Sequence, residues 1–392
     1  MTIRTAAAPV LLSDLTTIGL GGPALRLIEA STADEVADAV RSADADSGTG
    51  EPTEPGTSGE PRKPGETHEP GATGALILGG GSNLIVADEG VAVPVVRIAV
   101  PGIEVRPVGA RADDGGGVLV TVGAGEAWDD VVATLVADGY SGIETLSGIP
   151  GSAGATPVQN VGAYGTEISS VLVDVTVYDR RRRALRTVPA AELHLGYRTS
   201  VLRGADAAVV TSLRIRLGRA ARPVRYAELA RALGVQVGTP VPAPEVREAV
   251  LGLRRSKGMV LDPADPDTRS VGSFFTNPVL TPDELAATDR LIRERFGPDA
   301  SYPRYPGAAG NADAADTKLS AAWLIERAGF SRGLDGPGGQ VGVSGKHTLA
   351  LVNRGGGTTA ELLTLARQIR DGVRDAFAVA LLPEPVLVGV EF

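Results

Sequence analysis

Cysteine is absent from the chain, and histidine occurs three times, at His68, His194 and His347. The lack of cysteine excludes disulfides, thiolate catalysis and cysteine-ligated metals. Three widely separated histidines also argue against a multi-histidine centre, so we predict no metal site. His68 lies in a polar loop, where a histidine is usually inert, and we assign it no role.

Long apolar runs and an excess of positive charge are missing too. No apolar stretch reaches the roughly 18 residues needed to span a bilayer. The N-terminus has one arginine and a short apolar run without a cleavage site, which predicts no signal peptide. With 38 Lys and Arg against 47 Asp and Glu, the net charge of −9 argues against nucleic-acid or membrane partners. We therefore expect a cytoplasmic protein.

The 392 residues, 43% of them hydrophobic, are enough for two or three domains with buried cores. Strand pairs mixed with helices, one of them predicted over residues 318–328, indicate an α+β architecture. Residues 44–73 are dominated by Gly, Pro, Glu and Thr, which cannot bury enough surface to offset the entropy of ordering. We predict a disordered surface insertion there, and a flexible loop at residues 308–317.

Two glycine-rich segments are candidate ligand loops. Gly79-Gly80-Gly81-Ser82-Asn83 joins two short apolar runs, and is either a phosphate-binding loop or an ordinary tight turn. Residues 148–165 are dense in Gly and Ala, which suits a loop that wraps a flat or anionic ligand at backbone contact. The alternative is a glycine-rich connector. Gln159 and Asn160 in this segment offer amide hydrogen bonds to a heteroaromatic ring edge.

Four polar features have both a functional and a plain interpretation. Arg198 is either a carboxylate clamp or a solvated charge, and the cations of Arg254-Arg255-Ser256-Lys257 either bind an anion such as a diphosphate or complement a helix dipole. Ser273 lacks a GxSxG context, so a reactive role would be proton donation, not nucleophilic attack. Glu384, between two prolines in an apolar stretch, should be paired or functional.

Taken together and in order, these segments resemble the UDP-N-acetylenolpyruvoylglucosamine reductase family. The resemblance runs from about Thr16 to Val388 and is interrupted mainly by residues 44–73. The motifs that carry it are LGGGSN at 78–83, GIPGSAGATPVQNVGAYG at 148–165, GYRTS at 196–200, RSK at 255–257, GSFFTNP at 272–278, KLSAAWLIERAGF at 318–330 and PE at 383–384. One departure is Pro385–Val388, which replaces a run that carries an arginine in the family.

The resemblance implies an α+β fold: a vanillyl-alcohol-oxidase-type (PCMH) FAD-binding domain of two subdomains, followed by an α+β substrate-binding domain. The implied divisions are a first FAD-binding subdomain at 1–103, a second at 104–220, a tyrosine loop and basic helix at 221–260, the substrate-binding domain at 261–378, and a C-terminal strand returning to the active site at 379–392.

It also implies the activity. FAD is the cofactor and NADPH the reducing co-substrate in the reduction of UDP-N-acetylglucosamine enolpyruvate to UDP-N-acetylmuramate, a step in peptidoglycan precursor synthesis. The implied partners are therefore small molecules, and we expect a monomer. Tyr226 matches the tyrosine that closes over the substrate in one of the two classes of the family.

The matching positions give three sets of candidate residues. The implied catalytic residues are Arg198, Ser273 and Glu384. The implied FAD-binding residues are Gly79, Gly80, Gly81, Ser82, Asn83, Gly148, Ile149, Pro150, Gly151, Ser152, Gly154, Ala155, Gln159, Asn160, Gly162, Ala163 and Tyr164. The implied substrate-binding residues are Tyr197, Tyr226, Arg254, Lys257, Asn277 and Lys318.

Two other functions use the same glycine loops. A flavin oxidase that reacts with O₂ would need neither Ser273 nor Glu384, and its flavin would reoxidise in air without any UDP-sugar. A non-catalytic flavin-binding or UDP-sugar-sensing protein would tolerate the loss of Ser273.

Overall fold

The structure is a computed structural model that describes residues 10–46, 74–108, 117–204, 207–307 and 316–392. The predicted insertion lies outside these residues from position 47 onward, and so does His68. Its first three positions belong to a helix that continues through Asp46. Most of the loop predicted at 308–317 is likewise outside the described residues, while Thr317 begins a strand.

The described residues form short strands and seven α-helices. The strands are β1 Val10–Leu11, β2 Pro23–Ala30, β3 Leu76–Leu78, β4 Leu84–Val86, β5 Val91–Ile98, β6 Ile103–Pro107, β7 Val118–Gly123, β8 Gly162–Ala163, β9 Thr166–Glu167, β10 Leu172–Asp179, β11 Ala184–Pro189, β12 Ala208–Leu217, β13 Arg222–Pro223, β14 Pro240–Val241, β15 Ser270–Ser273, β16 Val279–Leu280, β17 Arg304–Pro306, β18 Thr317–Leu319, β19 Val341–Val343, β20 Ala350–Asn353 and β21 Val386–Val388. The helices are α1 Ala33–Asp46, α2 Trp128–Ala137, α3 Ala227–Leu233, α4 Ala243–Ser256, α5 Pro282–Phe296, α6 Ala321–Arg327 and α7 Thr359–Phe377.

Two sheets make up the N-terminal part. The first has the order β1-β2-β5-β3, with β2, β5 and β3 parallel, and the second is the antiparallel sheet β11-β10-β12-β7-β6. Buried residues of both sheets and of helices α1 and α2 form one hydrophobic cluster. Aliphatic side chains such as Val96, Val120 and Ile215 fill it, because alternate positions of each strand face the same side. The shared core fixes the two sheets relative to each other.

The C-terminal part has its own core. The sheets β15-β20-β19 and β16-β18-β17 pack with α5, α6 and α7 around Phe274, Phe275 and Phe377. Helices α5 and α7 each begin with a capping box, in which Thr281 pairs with Glu284 and a second Thr-Glu pair does the same. Between the two parts, α3 and α4 enclose a small separate cluster.

The last strand pairs with a strand of the N-terminal part. Strand β21 pairs in parallel with β4, and Val386 lies opposite Leu84. The predicted domain divisions at 103, 220, 260 and 378 are not decided by these pairings and stay predictions.

One predicted helix begins later than expected. The pattern predicted a helix over 318–328, but Lys318 lies in β18 and the helix starts at Ala321. The reason is local: the Ser320 side chain accepts a hydrogen bond from the backbone N–H of Trp323 and caps the helix there.

The fully buried Trp128 gives a test of the N-terminal core. Its indole N–H donates to the carbonyl of Leu146 at 3.2 Å, and its ring is completely buried. We expect Trp128→Ala to lower the free energy of unfolding by about 3–5 kcal/mol, because it removes a large buried ring and orphans a carbonyl. Leu25→Ala is the control, since Leu25 is 68% exposed. Equal denaturation midpoints for the two variants would contradict this expectation.

Candidate active site

Residues 79–83 connect two strands that belong to different sheets, β3 and β4. Gly81 has φ +63°, and a Cβ there would overlap the carbonyl of Leu15. A Cβ on Gly80 would lie 2.7 Å from the Cα of Gly151, in the second glycine-rich segment. The two segments thus meet at backbone contact, and this close approach requires glycine.

The same contact continues on either side of Gly80. A Cβ on Gly79 would meet the Ser152 hydroxyl, and a Cβ on Gly151 would meet the Ser82 hydroxyl. Each loop therefore places a serine against a glycine of the other. This explains why glycine and small polar residues occur together in both motifs.

A cavity of 390 Å³ lies beside these loops. Its apolar wall includes Leu78, Ile98 and Val210. The predicted cofactor residues that line it are Gly79, Gly80, Gly81, Ser82, Asn83, Ile149, Pro150, Gly151, Ser152, Gly154, Ala155, Gln159 and Gly162. The lining also includes all three predicted catalytic residues. The two glycine loops and the three predicted catalytic residues, from five distant stretches of chain, therefore share one cavity.

Arg198 and Glu384 are in contact within this cavity. The Nε of Arg198 lies 3.2 Å from Oε1 of Glu384, and the two side chains are 21% and 15% exposed. Arg198 has a left-handed backbone, φ +54°, and also donates to the carbonyl of Gly162 at 2.8 Å. Burial raises the pKa of the Glu384 carboxyl, and the nearby Arg198 and Arg203 cations oppose that rise. A carboxyl whose pKa is shifted by burial and by neighbouring charges thus lies beside the Arg198 cation.

Ser273 reaches the same place through the C-terminal core. It ends strand β15, and the next residue, Phe274, accepts a hydrogen bond at its carbonyl from the backbone N–H of Glu384 at 2.8 Å. Phe275 forms a β-bridge with Pro383. The segment carrying Ser273 and the segment carrying Glu384 are therefore paired along their backbones.

Four predicted cofactor residues are not among the described residues that line the cavity: Gly148, Asn160, Ala163 and Tyr164. The Asn160 amide is used within the loop, where it donates to Glu167 at 2.8 Å and to the carbonyl of Gly196 at 2.9 Å. Gly148 donates its backbone N–H to Asp129 at 2.6 Å. In the structure these contacts hold the second glycine loop in shape.

The predicted substrate residues form two groups. In the first, the Lys318 ammonium lies 4.8 Å from the centre of the Tyr197 ring. Asn277 accepts a hydrogen bond from the backbone N–H of Ala321 at 2.9 Å. Burial raises the pKa of the Tyr197 hydroxyl and lowers that of Lys318. This group lies around Tyr197, which precedes Arg198 in the chain.

The second group surrounds Tyr226, which is 42% exposed at the start of α3. Its ring packs edge-on against Tyr164 at 5.7 Å, and burial raises the pKa of Tyr164 to about 12. Lys257 forms an ion pair with Glu228 at 2.8 Å. Arg254 lines the cavity, and within the described structure its buried Nε has no hydrogen-bond partner. A cationic donor is therefore available at this side of the cavity.

The sequence alone did not indicate Arg203, which contacts both Arg198 and Glu384 through their backbones. It also did not indicate that Val209, Val210 and Met259 would border the cavity. A buried strand residue has the same pattern whether it faces a core or a ligand cavity. For Arg203, the available signal was its position five residues after Arg198.

Comparisons with known proteins identify the family. A sequence model described as UDP-N-acetylenolpyruvoylglucosamine reductase, C-terminal domain, matches residues 263–388, and one described as FAD binding domain matches residues 73–187. The UDP-N-acetylenolpyruvoylglucosamine reductase of Thermobifida fusca is 50% identical over 386 residues, covering 98% of both chains. That of Saccharopolyspora erythraea is 51% identical over 390 residues, covering 98% of this chain and 97% of the relative. The chain belongs to the UDP-N-acetylenolpyruvoylglucosamine reductase family.

A solved structure agrees with the fold of this reductase-family chain. The crystal structure of UDP-N-acetylenolpyruvylglucosamine reductase (MurB) from Thermus caldophilus has a TM-score of 0.59 at 24% identity and covers 98% of this chain and 99% of its own. The family and the α+β flavoprotein fold predicted from the sequence are confirmed. No helix of the described residues combines the length and hydrophobicity that crossing a membrane requires.

The cavity suits the FAD that this reductase family implies. Its apolar wall can cover a flat ring system, and the backbones of the two glycine-rich loops border it, where their N–H groups can bind a diphosphate. The residues that would hold FAD are therefore those of the two interlocked loops. Whether each of these residues contacts FAD stays a prediction.

Gly80→Ala tests the contact between the loops. The added methyl would lie 2.7 Å from Gly151, so the loops must separate, and we expect the purified variant to carry less FAD per chain than the wild type. The measurement is flavin absorbance relative to protein. Gly252→Ala in α4 is the matched control, because a Cβ there meets nothing within 4 Å. Wild-type flavin content in Gly80→Ala would show that the close packing is not needed for binding.

Proposed function

We propose that this chain catalyses the NADPH-dependent reduction of UDP-N-acetylglucosamine enolpyruvate to UDP-N-acetylmuramate, with FAD as its cofactor, in peptidoglycan precursor synthesis. The observation that carries the proposal is the 3.2 Å contact of Arg198 with Glu384 in a cavity that Ser273 and both glycine loops also line. Membership of the reductase family supports it. The alternative of an O₂-using oxidase gives no reason for this arrangement of the three polar side chains.

The chemistry explains why these residue types are needed. When bound, FAD supplies the hydride chemistry that links NADPH to the carbon–carbon double bond of the substrate. Arg198 holds the carboxylate of the enolpyruvyl group, because a guanidinium matches carboxylate geometry. As hydride reaches the methylene carbon, negative charge develops toward that carboxylate, and the preorganised cation of Arg198 stabilises it. This is stabilisation specific to the transition state.

Ser273 and Glu384 complete the reaction. Ser273 donates a proton to the second carbon of the former double bond. A serine hydroxyl is a weak acid, so it can protonate only a strongly basic centre, and a developing enolate is one. Glu384 polarises the same centre together with Arg198. Burial raises the pKa of the Glu384 carboxyl, and the Arg198 and Arg203 cations oppose that rise, so its charge responds to the groups around the reacting centre.

The remaining polar residues bind the UDP-sugar in this proposal. Tyr226 closes over the diphosphate, while Lys257 and Arg254 supply positive charge on that side. Tyr197, Asn277 and Lys318 act beside the enolpyruvyl group. The units at 1–103 and 104–220 hold FAD, residues 221–260 carry the tyrosine loop, residues 261–378 bind the sugar nucleotide, and 379–392 bring Glu384 to the site. The enzyme acts as a monomer in the cytoplasm.

The proposal is tested by a spectrum of the purified protein. We expect visible flavin absorbance that bleaches on anaerobic addition of NADPH and returns when UDP-N-acetylglucosamine enolpyruvate is added without oxygen. Rapid reoxidation by air with no response to the UDP-sugar would identify an oxidase instead. Bound flavin that neither NADPH nor the UDP-sugar changes would indicate a non-catalytic binding protein.

Ser273→Ala separates the proton donor from the hydride chemistry. The variant should still bind FAD and be reduced by NADPH, yet turn over the UDP-sugar at least ~10²-fold more slowly, the scale of a lost general acid. Ser331→Ala is the matched control, since Ser331 is exposed in the loop after α6. Near-normal turnover of Ser273→Ala would remove Ser273 from the mechanism.

A further inference from the structure

Arg203 connects the backbones of the two residues that form the ion pair. One terminal nitrogen of its guanidinium donates to the carbonyl of Arg198 at 2.6 Å, and the other donates to the carbonyl of Glu384 at 2.9 Å. Arg203 is 7% exposed, and it is not among the described residues that line the cavity. Any effect of Arg203 on a ligand is therefore exerted through its neighbours.

The two carbonyls lie on separate loops. Arg198 is in the turn closed by the Gly196–Thr199 bridge, in a left-handed conformation that a non-glycine residue adopts only when its surroundings fix it. Glu384 follows α7 and precedes β21. The amide of Asn83 also donates to the Glu384 carbonyl, but at 3.4 Å. The hydrogen bond from Arg203 to this carbonyl is shorter than the one from Asn83. Of these two residues, only Arg203 also donates to the Arg198 loop.

The choice of arginine is informative. Burial lowers the pKa of Arg203, so its charge carries a desolvation cost. A buried charge is weak evidence for stability, because apolar replacements of similar volume are often neutral or stabilising. A planar guanidinium, however, places two donors at a fixed separation and angle, which a lysine ammonium cannot do. The geometry of the group, more than its contribution to folding, explains its presence.

We propose that Arg203 is a positioning residue for the reduction of the UDP-sugar, holding the Arg198 and Glu384 loops at the separation their side chains need. This inference rests on the proposed function. Catalytic groups must be held close to the productive geometry, and a displacement of about 1 Å can cost ~10²-fold in rate. The guanidinium of Arg203 resists that displacement from behind the reacting groups.

The test uses the FAD-loaded enzyme and follows its two half-reactions separately by stopped-flow absorbance. Flavin reduction by NADPH needs neither a carboxylate clamp nor a proton donor, whereas reoxidation by UDP-N-acetylglucosamine enolpyruvate needs both. We expect Arg203→Met to keep its FAD and its rate of reduction by NADPH, while reoxidation slows by about 10–10²-fold, the scale of a misplaced catalytic group. Arg203→Lys keeps the charge without the two-pronged geometry, and should recover only part of the lost rate.

Arg219→Met is the matched control. Arg219 also donates to a backbone carbonyl, that of Asp138 at 2.9 Å, but this carbonyl belongs to neither of the loops that carry Arg198 and Glu384. Its half-reactions should both match the wild type.

The outcomes are distinguishable. Wild-type reoxidation in Arg203→Met overturns the inference. Equal losses of FAD and of both half-reactions in the Met and Lys variants also overturn it, because Arg203 would then serve folding in general. If Arg203→Met does not fold, the Lys variant decides alone: slowed reoxidation with normal reduction supports the inference, and normal reoxidation overturns it. If the wild-type flavin is not reoxidised by the UDP-sugar, the proposed function fails first, and this inference fails with it.

Discussion

The pairing of β21 with β4 is the constraint on which the candidate site depends. Three residues near the C-terminus lie in parallel beside three that directly follow the first glycine loop, and the backbone N–H of Val386 donates to the carbonyl of Asn83 at 2.9 Å. Because Glu384 comes two residues before Val386, this pairing holds it beside the first glycine loop, which borders the cavity. A carboxylate encoded near the end of the chain is thereby brought to Arg198, 186 positions earlier, at 3.2 Å.

Electrostatics and packing at the site oppose each other. The cavity wall is apolar, and burial disfavours the charged forms of Glu384, Arg203 and Arg254 alike. The structure offsets this with the Arg198–Glu384 contact and with backbone carbonyls that accept from the guanidinium groups. Low dielectric makes each of these contacts stronger than it would be in water. In the proposed reaction, the burial that makes these charges costly also strengthens their interaction with the charge that develops on the substrate.

Much of this was predictable from sequence, for identifiable reasons. The two glycine-rich segments were recognisable from sequence as loops that need close backbone approach, but the approach seen in the structure is between the loops themselves, as at Gly80 and Gly151; their contact with a ligand stays a prediction. The α+β class followed from mixed strand and helix patterns, and the family from ordered motifs. The sequence pattern placed Lys318 in a helix, because apolar periodicity does not show that the serine two residues later caps the helix. The contacts of Arg203 and the use of the Asn160 amide to hold its loop were not predicted, because their hydrogen-bond partners are distant in sequence.

The glycine-rich loops and the polar residues solve different parts of one problem. Glycines at 79–81 and 151 give the cavity its shape, but they carry no charge and cannot orient a reacting group. Arg198, Ser273 and Glu384 can, provided that their own loops are fixed from outside the cavity. Two hydrogen bonds fix the left-handed backbone of Arg198. The Asn160 amide donates to the carbonyl of Gly196, and the Arg203 guanidinium donates to the carbonyl of Arg198. We infer that a second layer of hydrogen bonds, which no sequence motif shows, preorganises the three residues that we propose to be catalytic.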